Sequence, residues 1–158
     1  DALETNPDYV FIDNYMDLAG KLVKNKLKPS QGGYFLKLHD FQINDDNYQL
    51  DDYLNVDEGI KYMSELINFI LEKTLISKII FLNFPYSTYI ENKERQERTQ
   101  EYEKKIISRW TAHDRVVIIP CLTINKKNQT HQKQHFKSTQ YAAYAGICRA
   151  LVASFVVS

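Results

Sequence analysis

The sequence predicts an α/β fold: a three-layer α/β/α arrangement around a mainly parallel, flavodoxin-like sheet. Three observations predict it. Short apolar runs at residues 9–12, 34–38, 78–84 and 115–120 alternate with longer segments whose apolar residues recur at helical spacing. The last two runs are nearly continuous in Ile, Val, Leu and Phe, which suits parallel strands covered on both faces. Strand followed by helix, four times over, is the pattern of crossover connections in a parallel sheet. With 158 residues the chain is read as a single domain, residues 1–158, long enough to bury a core.

Asn6-Pro7-Asp8 is a turn signal, and Tyr9-Val10-Phe11-Ile12 behind it is a short apolar strand ending at Asp13-Asn14. Met16, Leu18, Ala19, Leu22 and Val23 then recur at helical spacing, predicting a helix that Lys28-Pro29 stops. Residues 34–38 read as a strand interrupted by Lys37, and the Asp- and Asn-rich stretch 40–52 as a surface loop. Asn55, with Glu58 three residues on and Asp57 in the first turn, opens a helix running to about Lys73. Its stripe is Ile60, Met63, Ile67, Ile70 and Leu71.

Lys78 to Phe84 is the clearest strand, and Pro85 turns the chain out of it. A charged helix follows from about Ile90 to Trp110. Its first half has almost no apolar face, whereas Tyr102, Ile106 and Trp110 anchor its second half. After the strand at 115–120, Ser138 or Thr139 caps a last helix. Tyr141, Tyr144, Ala145, Cys148, Leu151, Val152 and Phe155 lie on one broad face of it, predicting a buried helix. Arg149 interrupts this run, which is also shorter than the roughly 20 residues a membrane span needs.

Composition narrows the partners. Twenty basic and 20 acidic residues cancel, so no overall basic field argues for nucleic acid. Eleven Tyr and eight Phe are a heavy aromatic load, and some of the tyrosines are expected to rim a pocket or contact surface. Cys121 and Cys148 sit inside apolar runs and are too few for a disulfide scaffold. Reduced, buried thiols and no opening signal peptide point to the cytoplasm. The chain opens at Asp1 rather than Met, as a piece of a longer protein would.

Parallel sheets put their sites at the carboxyl ends of the strands. That gathers Asp13-Asn14, the turn from Asn83 through Tyr86 to Ser87, and the loop from Cys121 to Ser138 onto one rim. Within the loop, residues 130–138 hold two histidines, His131 and His135. A His before the last helix is placed to act as a general base near neutral pH; the bland alternative is a surface histidine. His131 and His135 at i, i+4 would share a helix face, but no third ligand is evident for a metal. Lys126, Lys127, Lys133 and Lys137 with His131 make a basic loop that would steer an anion or remain simply solvated.

Three segments carry a family resemblance. Pro7-Asp8-Tyr9-Val10-Phe11-Ile12 followed by Asp13-Asn14 resembles the third strand of SGNH (GDSL-like) hydrolases. Lys78 to Phe84 with Pro85 is similar to their fourth strand and its proline turn. Gln132-Lys133-Gln134-His135-Phe136, leading into a Tyr- and Ala-rich helix, is similar to their final block, Asp-x-x-His followed by an apolar residue. The likeness runs from Pro7 to Val157 and is nearest an SGNH-like group associated with bacterial capsule and surface-polysaccharide genes.

The resemblance implies an esterase or O-acyl(acetyl)transferase acting on a carbohydrate or other small ester, with a Ser nucleophile and a His base. His135 matches that base. Gln132 stands where the family has Asp, so a dyad, another acid such as Asp13, or an inactive site is implied. Asn14 is the nearest match to the family's Asn block. His135 and Asp13 are thus the catalytic candidates, and Asn14, Asn83, Tyr86, Ser87, His131 and Gln132 the substrate-facing ones. No metal and no resident cofactor is implied, although a transferase would draw on an acetyl donor.

The family's Gly-Asp-Ser block and first strand have no counterpart here, for the chain contains neither Gly-Asp-Ser nor Gly-x-Ser. The resemblance therefore also implies an upstream segment or partner chain that completes the sheet, or an inactive scaffolding relative in a polysaccharide-assembly protein.

Overall fold

The computed structural model describes residues 2–19, 21–28, 33–35, 47–75, 77–89, 91–130 and 135–156. Three parallel strands form its centre: β1 (Tyr9–Asp13), β5 (Lys78–Leu82) and β6 (Val116–Ile119). They lie in the order β1-β5-β6, with Val10 level with Ile79 and Ile79 level with Val116. Because side chains alternate across a strand, Val10, Ile12, Ile79, Phe81, Val116 and Ile118 share one face. That face packs into the main core with Ile60, Met63, Ile67 and Ile70 of α2 (Val56–Lys73) and Tyr102, Ile106 and Trp110 of α3 (Lys93–Trp110).

Both helices start on Asn caps. Asn55 Oδ1 accepts from Asp57 N, and Asn92 Oδ1 accepts from Arg95 N. The expected start of α3 near Ile90 is thereby moved to Lys93. Arg115, at the foot of β6, holds the other end of α2. Its Nε donates to Ser77 O at 3.0 Å, Nη1 to Leu71 O at 3.3 Å, and Nη2 to the Thr74 carbonyl. The Leu71 carbonyl is one that the end of a helix leaves without an intrahelical partner, and Thr74 caps that end, while Ser77 leads into β5.

The first half of α3 is less solvated than its charge suggests. Thr99 is buried, and Arg98 reaches inward to donate to Leu54 O at 2.9 Å and Asp17 O at 3.3 Å, with its guanidinium 4.6 Å from the Tyr53 ring centre.

α4 (Ser138–Val156) touches the opposite face of the sheet through Phe155, which stacks on Tyr9 at 6.2 Å and lies under the Lys78 ammonium at 4.0 Å, while Phe11 of that face stays exposed. The helix is not buried as its composition predicts. Tyr144, Cys148, Leu151, Val152 and Phe155 are half-buried, while Tyr141, Ala142, Ala143, Ala145 and Gly146 are exposed. Three strands span only about 10 Å between outer chains, close to one helix diameter, so a single stripe of α4 can be covered. The free thiols of Cys148 on this helix and of Cys121, just after β6, are half-buried rather than enclosed. Ser138 is the first helical residue, so neither it nor Thr139 stands in the capping position before the helix.

A second sheet was not expected. The stretch read as one helix breaks into a five-residue α1 (Tyr15–Ala19) and a strand, β2 (Lys21–Asn25). β2 pairs antiparallel with β3 (Gly33–Phe35) on one side and β4 (Tyr48–Tyr53) on the other. Thus the predicted strand at 34–38 does not join the parallel sheet where it is described, and 48–52 is strand rather than loop; positions 36–38 and 40–46 lie outside the described residues. Five apolar positions at helical spacing specify a helix only weakly. Cross-strand bonding, with Lys24 bridged to Asp51 and Lys21 4.0 Å from Asp52, wins locally.

Candidate functional site

β1 and β5 end side by side, and the residue after each is Asn: Asn14 beyond Asp13, and Asn83 beyond Leu82. Both side chains are 1% exposed. Asn14 Nδ2 donates to Asn83 Oδ1 at 3.2 Å, Asn83 Nδ2 donates to Ile119 O at 3.0 Å, and Phe84 N donates to Asn14 Oδ1 at 2.7 Å. This network stitches the carboxyl ends of all three parallel strands together and satisfies buried amides that would otherwise be costly.

A chain of aromatic rings begins beside it, at the residues that follow the two asparagines. Phe84 sits 4.9 Å from Tyr15 and 6.1 Å from Phe136, and Phe136 sits 5.7 Å from Tyr141. Phe136 is 8% exposed. Its burial brings the preceding residue, His135, to the same rim. The backbone there is pinned: Thr130 N and Oγ1 both donate to His135 O, Gln129 bridges Phe136, and Lys137 N donates to Asn128 O at 2.8 Å.

The His135 side chain itself is exposed. No hydrogen bond or ion pair joins it to Asp13, whose Oδ1 instead accepts from Tyr15 N at 2.9 Å at the start of α1. Ser87, in the short turn Tyr86–Tyr89, accepts at Oγ from Ile124 N at 2.9 Å, tying the β5 exit to the loop after β6. Tyr86 is half-buried in that turn. His131 and Gln132 lie outside the described residues. The structure therefore joins Asn14 to Asn83 directly, brings His135 alongside through aromatic packing, and leaves Asp13 in a local turn. Among the described residues no group of three or more His, Cys, Asp and Glu is gathered as a metal would need.

Behind the rim stands a cluster that sequence reasoning missed. Cys121 N donates to Glu103 Oε1 at 2.6 Å, and the Cys121 thiol contacts Phe84 O at 3.2 Å. Burial, reinforced by the Glu103 carboxylate, pushes the Cys121 thiol far above its usual value. It is therefore a protonated packing group, not a nucleophile. The Tyr144 hydroxyl is buried without a hydrogen-bond partner among the described residues, and its ionisation is suppressed by burial first and by Cys121 second. Only the position of Cys121 just beyond a strand end hinted at this cluster.

Fold and rim together define an α/β protein with a three-stranded parallel sheet and a polar carboxyl edge flanked by aromatic residues. No protein-family model, no curated protein and no solved structure matches the chain. Among the described residues no helix is long and apolar enough to cross a membrane.

Proposed function

We propose that this chain is an SGNH-like domain serving an esterase or O-acyltransferase that acts on a carbohydrate or other small ester. His135 is the base, and the Ser nucleophile lies outside this chain. The base accepts the Ser proton as Oγ attacks the ester carbonyl, then returns it to the departing alcohol oxygen; water or an acceptor alcohol releases the acyl group. The observation that carries the reading is the convergence at one rim of the Asn14–Asn83 pair with the pinned segment that bears His135. An exposed imidazole beside a rigid polar edge is accessible to an ester and to a hydroxyl supplied from elsewhere. Replacing His135 by Ala in the full-length protein is expected to lower p-nitrophenyl acetate turnover by about 10²-fold or more. Unchanged turnover removes the proposal.

A second reading is a catalytically inactive SGNH-like binding or scaffolding domain in polysaccharide assembly. The observation favouring it is that Asn14 and Asn83 are fully engaged in holding strand ends together. In addition, no acid is bonded to His135 among the described residues, and Gln132 stands where the family has Asp. A serine-reactive fluorophosphonate probe separates the two: labelling of the full-length protein supports the enzyme, and silence supports the binder.

A further inference from the structure

Helix α2 carries two apolar faces rather than one. Ile60, Met63, Ile67 and Ile70 are buried in the core, and the flank toward α3 is occupied, with Asp57 bonded to Lys105 at 2.6 Å and Ser64 to Trp110 Nε1 at 3.3 Å. At about 100° per residue, Tyr62, Leu66 and Phe69 fall roughly 150° around from that flank. They are 52%, 43% and 45% exposed. Scattered surface hydrophobics are ordinary, but three large ones in a single row form a patch. The row looks away from α3.

The order of residues along this flank says what fits it. Glu58, Tyr62, Leu66, Phe69 and Lys73 share the stripe, and all five are exposed. Read from either end the row is an end charge, an aromatic, a central leucine, an aromatic and the opposite charge. A second α2 laid antiparallel across it about a two-fold axis at Leu66 therefore sets Tyr62 against Phe69, twice. It also sets each Glu58 against a Lys73. The helix ends agree, since Glu58 lies in the first turn and Lys73 in the last, so the antiparallel arrangement aligns opposite partial charges as well. A patch that complements itself under a two-fold rotation is what an isologous interface requires. We infer that α2 is a self-association surface, and that two copies of this chain pair antiparallel through Tyr62, Leu66 and Phe69 with Glu58 facing Lys73 across each end.

The test is sedimentation equilibrium on the full-length protein and on charge-reversal variants at these exposed positions. The wild type is expected to be a dimer, and Leu66→Glu is expected to raise its dissociation constant by about 100-fold or more by placing two carboxylates on the axis. Glu58→Lys alone and Lys73→Glu alone are each expected to weaken the dimer about tenfold, since each turns two attractions into repulsions. The double variant Glu58→Lys/Lys73→Glu is expected to return to near wild-type affinity. Unchanged thermal melting of the monomeric units would show that the variants still fold. A monomeric wild type would overturn the inference, as it would if another part of the full-length protein covers the stripe. So would a dimer indifferent to both charge reversals, or a double variant weaker than either single one.

Discussion

Asn14 donates its side-chain amide to Asn83 across 3.2 Å, and through this bond the ends of β1 and β5 are held in register 69 residues apart in sequence. Truncating either partner removes bonds made in a buried place: Asn14→Ala takes away the acceptor that Phe84 N uses and the donor to Asn83 Oδ1. Each single alanine variant is expected to lose about 1–3 kcal/mol in urea unfolding. The double variant is expected to lose clearly less than the sum. Strict additivity would mean that the two amides do not act together.

Two helical glycines are expected to respond in opposite directions. A Cβ on Gly59 would lie 3.0 Å from Tyr102 Cε2 and 3.4 Å from Leu54 Cδ2, and Tyr102 is only 1% exposed with its hydroxyl held by Asp17 at 2.8 Å. Crowding there outweighs the roughly 1 kcal/mol that Ala normally gains over Gly in a helix, so Gly59→Ala lowers the melting temperature. Around Gly146 nothing comes within 4 Å of an added Cβ. Gly146→Ala is expected to stabilise by about 0.5–1 kcal/mol. Calorimetry of both variants checks the pair, and equal shifts would contradict it.

Asp17 sets a pH dependence. Burial pushes its carboxyl above the usual 3.8, the Tyr102 hydroxyl opposes this by donating to the carboxylate, nearby Asp13 adds to the rise, and Arg98 pulls it back. A raised folded value means that the folded chain keeps a proton the unfolded chain has already released. The resulting stabilisation is full below 3.8 and is lost as pH rises through the raised folded value. The stability of the wild type relative to Asp17→Asn, which has no proton to release, is therefore expected to fall across that window. Urea titrations of both proteins from acid to neutral pH measure the difference; a rise would show that the carboxylate is favoured in the fold.

Arg115 closes α2 by satisfying carbonyls at Leu71, Thr74 and Ser77. Arg115→Ala is expected to cost about 2 kcal/mol, as charge-assisted bonds to half-buried carbonyls do. Arg115→Lys is expected to recover only part of that, since an ammonium cannot spread planar donors over three sites. Full rescue by Lys in urea unfolding would show that charge alone matters.

Much of the fold is legible in the chain because its strongest signals are long or continuous. The runs around Phe11, Ile80 and Val117 contain little but apolar residues, and the parallel strands form there. The rows built on Ile67 and Ile106 extend over several turns, and helices form there too. Lys21 to Asn25 misled because five apolar positions shared with α1 mimic a helix, while Asp51 and Asp52 hide a strand among residues poor in β-propensity. At the rim, the placement of Asn14, Asn83 and His135 beyond strand ends could be anticipated from the order of elements. That the two asparagines bond each other, and that Phe136 rather than a carboxylate positions the histidine segment, could not.

The sequence by itself determined that the runs at β1, β5 and β6 are strands and that α2, α3 and α4 are helices, because hydrophobic periodicity is a local property carried by neighbouring residues. Only the tertiary structure decided that β2 finds two antiparallel partners, that α4 stays half outside, and that Asn14 meets Asn83. Those outcomes depend on which distant segments compete for the same backbone donors and the same limited apolar surface. No local pattern records the result of that competition.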